Sequence, residues 1–406
     1  MNYQTHTFQN GIRLIHKPDT SPVAYCGIIV NAGTRDEDEQ ESGMAHFVEH
    51  MLFKGTEKRK AWHILNRLDA LGGELNAYTT KEETVVNATV LSNYYEQAME
   101  LVADVIFHST FPKNELEKEK EVVLDEIRSY QDSPSELIFD DFETLVFGGN
   151  SFGRHILGNK KYIKKFNSEK AHSFVERCYN TDEMVFFSLG NVDFKKIIRW
   201  GEKYLAKIPV SSRSFERAKP VAYNPVQKTI RKNTFQAHFM AGNRAFELGN
   251  ERKAALHLFN NILGGTSMNS RLNLSLRERN GLVYSVDSVY TPYSDTGVFC
   301  IYFGCDKKNL ERCIALMNKE MKTLREQKIT ALQLSKARKQ LMGQLAVMSE
   351  HKENLALSMG KSFLHFNRFD GLDVVYQRLE EVTSEDILEI ANGITAEKDL
   401  ATLIYC

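Results

Sequence analysis

Short apolar runs bounded by turn residues alternate along this chain with longer stretches in which apolar positions recur every three or four residues. The first spacing predicts strands and the second predicts helices. An Asn10–Gly11 turn between Thr7–Phe8 and Ile12–His16 is a hairpin signal. Ala24–Ala32 reads as a buried strand. The segment Gly43–Phe53 is apolar nearly all round, as in a buried helix. Trp62–Leu71 reads as helix, Asn76–Thr80 and Thr84–Leu91 as strands, and Tyr95–Phe107 and Glu115–Tyr130 as helices. Ser133 caps a further helix with Pro134 at its first position, running to Val146. Ser168–Tyr179 is helix, Met184–Leu189 strand and Phe194–Leu205 helix.

Ile208–Pro225 is rich in Ser, Arg, Lys and Pro and reads as a linker. Beyond it come a strand (Gln236–Ala241), a helix (Ala254–Leu263), two strands (Val283–Tyr290 and Gly297–Cys305) and two helices (Leu310–Glu326 and Ala331–Met348). A chain of 406 residues is too long for one ordinary core, so two domains or more are expected.

The buried helix carries the chemistry. His46, Glu49 and His50 follow the order His-x-x-Glu-His. Residues four apart share a helix face, so His46 and His50 can hold one ion together. Two imidazoles suit zinc, and a carboxylate beside them can serve as general base on zinc-bound water. A surface helix with two solvated histidines is the plainer alternative, but buried polar groups need partners, which a metal supplies. Catalytic zinc takes a third protein ligand. In Glu115–Tyr130, Glu117, Glu121 and Arg128 form a solvated face. Glu119 and Glu126, seven residues apart, share the other side with Leu116, Val122, Val123, Ile127 and Tyr130. Carboxylates on a core-facing stripe need partners. Glu126 as ligand with Glu119 in support answers for both. Acids at the stripe's margin, paired with Lys or Arg, are the other reading.

His-x-x-Glu-His, then Phe53-Lys54-Gly55-Thr56, then Glu119 and Glu126 together resemble the pitrilysin and insulin-degrading-enzyme group of zinc peptidases. The short-chain branch that includes the mitochondrial processing peptidase is the nearest pattern. The resemblance implies one zinc per chain on His46, His50 and Glu126, with Glu49 as catalytic base and Glu119 as support. Gly72–Thr79 resembles the group's active-site edge strand, where Asn76 and the backbone at Ala77 would hold an extended peptide by strand addition. Leu276–Ser285 resembles an Arg-x6-Tyr element, which gives Arg277 and Tyr284 substrate-contacting roles beside the scissile carbonyl. The implied fold is α+β, two homologous α/β-roll domains, each a mostly antiparallel sheet packed with helices. Laying Met51–Thr56 over Asn261–Thr266 puts Leu256, Phe259 and Asn260 opposite His46, Glu49 and His50. The second half thus reads as a duplicate without the metal, and the nearby His257 as structural. The expected domains are 1–207, a linker 208–225, and 226–406.

The implied function is a zinc endopeptidase cleaving unstructured peptides inside a clamshell chamber. A short chain needs a second copy to complete that chamber, which implies a homodimer with a composite active site. The alternative is a catalytically silent peptide-binding or assembly subunit of the same fold. Composition changes little. Hydrophobic residues make up 42% and charged residues 26%, with net charge −1 and pI near 6.9, which points away from nucleic-acid and membrane-surface partners. The start lacks a basic apolar leader and no run is long enough to span a bilayer, so a cytoplasmic location is expected. The six cysteines contain no Cys-x-x-Cys pair and read as free thiols.

Overall fold

The computed structural model describes residues 3–221 and 223–406. In chain order the strands are β1 (Gln4–Thr7), β2 (Arg13–Pro18), β3 (Val23–Val30), β4 (Glu74–Thr79), β5 (Thr84–Leu91), β6 (Met184–Gly190), β7 (Gln227–Ile230), β8 (Gln236–Ala245), β9 (Val283–Pro292), β10 (Gly297–Asp306) and β11 (Ala401–Tyr405). The α-helices are α1 (Met44–Leu52), α2 (Ala61–Asp69), α3 (Tyr95–Phe107), α4 (Lys113–Gln131), α5 (Pro134–Val146), α6 (Lys160–Ile163), α7 (Ser168–Cys178), α8 (Phe194–Tyr204), α9 (Lys253–Gly264), α10 (Leu310–Glu326), α11 (Ala331–Ser349), α12 (Lys352–Phe366), α13 (Leu372–Glu381) and α14 (Ser384–Ile394).

These elements form two compact units assembled from interleaved segments. The first unit runs up to Arg128 and adds Arg154–Ala218 and Met348–Gly371. The second takes Ser129–Gly153, Lys219–Val347 and Leu372–Cys406. The contiguous division at 208–225 does not describe this arrangement. Helix α5 belongs with the second unit and α12 with the first. Much of the expected linker is also part of the first unit. Arg217 bonds Asp36 at 2.7 Å and Glu82 at 3.3 Å, Arg213 donates to the Asn31 carbonyl, and Thr181 Oγ1 donates to the Ser211 carbonyl. The Arg and Ser residues that look solvated in the sequence are there to meet buried acids and carbonyls.

The first unit holds a six-stranded sheet in the order β1-β2-β6-β3-β5-β4, parallel only between β2 and β6. The sheet is covered on both faces, so β3 is a near-continuous apolar run rather than an alternating one. One face packs the main core, including Met44, Phe47, Val48, Met51 and Leu52 of α1. Against the other face lies α12, with Ala356, Met359, Phe363 and Leu364 meeting Ile15, Ile29, Val85 and Phe187. Gly360 permits that contact, since a Cβ there would stand 2.8 Å from Ile29 Cδ1. Strand β4 is an edge, paired only with β5 from Glu74↔Thr89 to Thr79↔Thr84.

The second unit holds a five-stranded sheet in the order β7-β11-β8-β10-β9, parallel only between β7 and β11. Residues of α9, α10 and α14 build the core on one face, and α5 covers the other. The expected α+β class with two mostly antiparallel, helix-packed sheets is what the chain forms. Among the described residues no helix is long and apolar enough to cross a membrane, and the cysteines are free thiols.

His16 on β2 gives the first unit a built-in acid sensitivity. It is fully buried, its Nδ1 lies 2.8 Å from Ser188 Oγ, and the Tyr95 hydroxyl donates to that same oxygen at 2.6 Å. Burial pushes the imidazole down from 6.5 to about 4. The unfolded chain therefore binds a proton below about pH 6.5 that the native chain refuses until about pH 4. Stability present at neutral pH is lost as pH falls through that window, by up to about 3 kcal/mol for this group. Urea midpoints measured across the window should fall in the wild type and fall less in His16→Asn. Equal slopes would remove His16 from the account.

A candidate metal centre on helix α1

Helix α1 starts under tight constraint. Gly43 has φ 97° and packs on Gly158, so a Cβ on Gly43 would stand 2.9 Å from the Gly158 Cα. Only glycine meets both demands. The first helical amides are taken by buried Glu37, whose carboxylate accepts from Gly43 N at 3.0 Å and Ala45 N at 2.9 Å. Burial pushes the Glu37 carboxyl up to about 8, against the pull of those two amides and Arg154.

The remaining residues of α1 divide by face. The apolar set is buried in the core, while His46, Glu49 and His50 turn toward α4 and β4. On α4 the buried residues are Leu116, Glu119, Lys120, Val123, Leu124 and Ile127. Val122, expected on that stripe, is 50% exposed, and Leu124 takes its place.

Three atoms converge. His46 Nε2 and His50 Nε2 are 3.2 Å apart, and Glu126 Oε2 lies 3.7 Å from the first and 3.6 Å from the second. Tetrahedral zinc with bonds of about 2.0–2.1 Å spaces its ligand atoms about 3.3 Å apart, so this triangle has the right size. Glu126 Oε2 is also buried without a hydrogen-bond partner, which an ion would relieve. The donor set fits zinc: two imidazoles and one carboxylate, with room for a fourth ligand. Among the described residues this is the group of His, Cys, Asp and Glu whose ligand atoms gather within 4.8 Å.

The surroundings orient these ligands. Glu119, 4% exposed, accepts from His50 Nδ1 at 2.8 Å and from Lys54 Nζ at 2.7 Å. A carboxylate only accepts, so the proton sits on Nδ1 and the Nε2 lone pair faces the centre. Burial opposes charge on His50, but the Glu119 bond and the charges of Glu49 and Glu126 outweigh it and raise its pKa, so a metal at Nε2 would displace the proton that nitrogen otherwise gains. Burial and then His50 push His46 down to about 3, the neutral form a ligand requires. Burial raises the Glu119 pKa less than His50 and Lys54 lower it, so it stays a carboxylate.

Glu49 lies beside the triangle, not in it. It is 9% exposed and accepts a bond from Thr79 Oγ1 at 3.0 Å. Burial pushes its pKa up, and Glu126 adds to this, while His50 and Thr79 pull the other way. Thr79, Lys54 and Glu37 were not singled out by sequence. Lys54 lies four residues beyond His50, in the turn just past the end of α1. Thr79 alternates on β4 with Ala77 and Leu75, the face that packs the core. Asn76 falls on the opposite face with Tyr78, across from Asn87 on β5.

Arg277 and Tyr284 lie in the second unit. Arg277 sits in a π-helical segment, Asn273–Glu278, with its guanidinium 5.8 Å from the centroid of the Tyr284 ring. Tyr284 is 84% exposed at the start of edge strand β9. In α9 the residues at the corresponding positions, Leu256 and Phe259, are fully buried. The His257 ring lies tilted against Tyr290, with centroids 4.8 Å apart.

Comparison with known proteins identifies the family. Residues 13–160 match the family described as Insulinase (Peptidase family M16), and residues 165–341 the Peptidase M16 inactive domain. A relative from Bacillus subtilis, named uncharacterized zinc protease YmxG, is 34% identical over 98% of this chain and 97% of its own length. An uncharacterized zinc protease of Rickettsia bellii is 32% identical over 99% and 97%. Among solved structures, a peptidase M16 inactive domain from Pseudomonas fluorescens matches with TM-score 0.93 at 20% identity, over 100% of this chain and 98% of that one. A protease from Helicobacter pylori matches with TM-score 0.90 at 19% identity, over 100% and 99%. These structures share the fold. The sequence relatives, matched almost end to end, establish that the chain belongs to the insulinase family of peptidases, family M16.

Proposed function

We propose that this peptidase is a zinc-dependent endopeptidase that cuts unstructured peptides inside a closed chamber. The observation that carries the reading is the convergence of His46, His50 and Glu126 beside buried Glu49. Zinc, when bound, supplies Lewis acidity and lets a water act as nucleophile near neutral pH. Glu49 takes the proton of the attacking water on a carboxylate oxygen. As the water oxygen bonds to the scissile carbon and the C–N bond breaks, Glu49 passes that proton to the leaving amine. Thr79 holds Glu49 in place, and Glu119 holds His50. The edge of β4, at Asn76 and Ala77, pairs with the extended peptide backbone.

Arg277 and Tyr284 complete the chemistry, a cation and a phenol placed to stabilise the developing oxyanion. In a homodimer the pair from one copy faces the zinc centre of the other. Two equivalent composite sites then follow from two-fold symmetry.

Three outcomes test this. His50→Ala should lose nearly all of the one zinc per chain, read by metal analysis; stoichiometric zinc in that variant would remove the ligand assignment. Glu49→Gln should keep its zinc and lose turnover by about 10²–10⁴-fold on an unstructured peptide, the usual span of a general base. Turnover near the wild-type level would leave Glu49 without a catalytic part, and a wild type that never cleaves would favour a silent subunit. Glu49→Gln mixed with Tyr284→Phe should regain activity once subunits exchange, because one site in each mixed dimer is intact. Exchange demonstrated without recovery would rule out the shared site.

A further inference from the structure

The turn between β4 and β5 buries three consecutive charges. Lys81, Glu82 and Glu83 are 3%, 5% and 8% exposed. Buried charges persist only when paired, and each of these is held from a different part of the first unit. Lys81 donates to the Arg154 carbonyl. Glu82 meets Arg35 at 2.6 Å and Arg217 at 3.3 Å. Glu83 meets His365 Nε2 at 2.7 Å and Lys361 Nζ at 2.9 Å, both on α12. Burial alone would raise the Glu83 pKa, yet His365 and Lys361 hold it down at about 2. Lys361 does a second thing: its ammonium lies 5.3 Å from the centroid of the Tyr78 ring on β4, within cation–π range.

This matters because of where β4 stands. It has a hydrogen-bonded neighbour on one side only, so half of the support that a central strand enjoys is missing. Its last residues face two ways. Thr79 bonds Glu49 on the α1 side, and Tyr78 meets Lys361 on the α12 side. The turn that follows is clamped by Glu83. An extended peptide pairing with this edge takes its position from the strand, so looseness in β4 becomes looseness in the peptide.

We infer that Lys361, acting with Glu83 and His365, is a positioning residue that holds β4 ready for peptide pairing, so that α12 sets substrate affinity from outside the catalytic group. This rests on the strand-pairing part of the proposed function. A matched control exists on the same helix. Lys352 pairs with Asp19 at 2.6 Å and its side chain is 33% exposed, against 36% for Lys361. Removing either lysine breaks one ion pair of α12, and only one of the two touches the edge strand.

The experiment is steady-state cleavage of an unstructured reporter peptide by zinc-loaded protein, with a second peptide N-methylated at alternate amides. Lys361→Met should raise KM by about fivefold, the size of one cation–π or ion-pair contact, with kcat within about twofold and zinc content unchanged. Lys361→Arg should restore KM, and Lys352→Met should leave it alone. Tyr78→Leu, at a partly exposed position, should raise KM as Lys361→Met does, and serves if that variant folds poorly. N-methylation should weaken binding to the wild type. Indifference to methylation would overturn strand pairing and this inference with it. Methylation sensitivity with unchanged KM in Lys361→Met and Tyr78→Leu would overturn the inference alone, as would an equal KM rise in Lys352→Met.

Discussion

The candidate metal centre depends on one short hydrogen bond, from His50 Nδ1 to Glu119. An imidazole can present either nitrogen, and on a buried helix nothing in the backbone decides which. Glu119 decides it by accepting at Nδ1, which turns the Nε2 lone pair toward His46 and Glu126. For that bond to form, Glu119 must itself be a buried anion, and Lys54 at 2.7 Å keeps it one. Lys54 stands in the turn that ends α1, so the helix that carries the ligands also carries the cation that stabilises their support. The arrangement links the end of α1 to the middle of α4, and it places Glu126, two helical turns further on, at the third corner of the triangle.

Buried carboxylates also explain why the first unit is not a contiguous piece of chain. Asp36, Glu82 and Glu83 lie within the part of the sequence that forms the sheet and the metal helix. Their cations come from far along the chain: Arg217 for Asp36 and Glu82, Lys361 for Glu83. A buried ion pair stripped of one partner costs about 3–5 kcal/mol, because the remaining charge is stranded. A unit ended at residue 207 would strand Asp36 and leave Glu82 with Arg35 alone, and one without α12 would strand Glu83 and bare the apolar face of the sheet. Electrostatics and apolar burial therefore agree on the same interleaved boundary.

How much of this was readable beforehand follows from the range of each interaction. Period and turn chemistry are local, so β5, α3, α5 and β6 fall within a residue or so of their expected ends. His46, Glu49 and His50 are also local, one helix with one spacing, and Glu126 was within reach because a carboxylate on an apolar stripe is out of place. What stayed hidden depends on distant partners. Arg217 reads as part of a solvated linker because the acids it meets, Asp36 and Glu82, are well over a hundred residues away. Helix α12 shows no clean amphipathic stripe, since it buries Gly360 and Ala356 together with Met359 and Phe363 against a sheet whose strands lie hundreds of residues earlier. Thr79 looked like any strand threonine until the fold brought Glu49 beside it.

The two units share a plan but divide the chemistry, and the packing shows why. In α1 the positions of His46 and Glu49 are polar, which costs burial and is offset by α4 and β4. In α9 the corresponding Leu256 and Phe259 are fully buried, so that helix stabilises its own core and has nothing to offer a metal. Freed of that role, the second unit keeps its unusual features elsewhere. Asn273–Glu278 winds as a π-helix, a form with poorer packing that persists mostly at functional sites. It carries Arg277 over Tyr284, and that phenol stands almost wholly in solvent at the edge of the sheet. An aromatic ring exposed to that degree contributes little to the stability of its own unit.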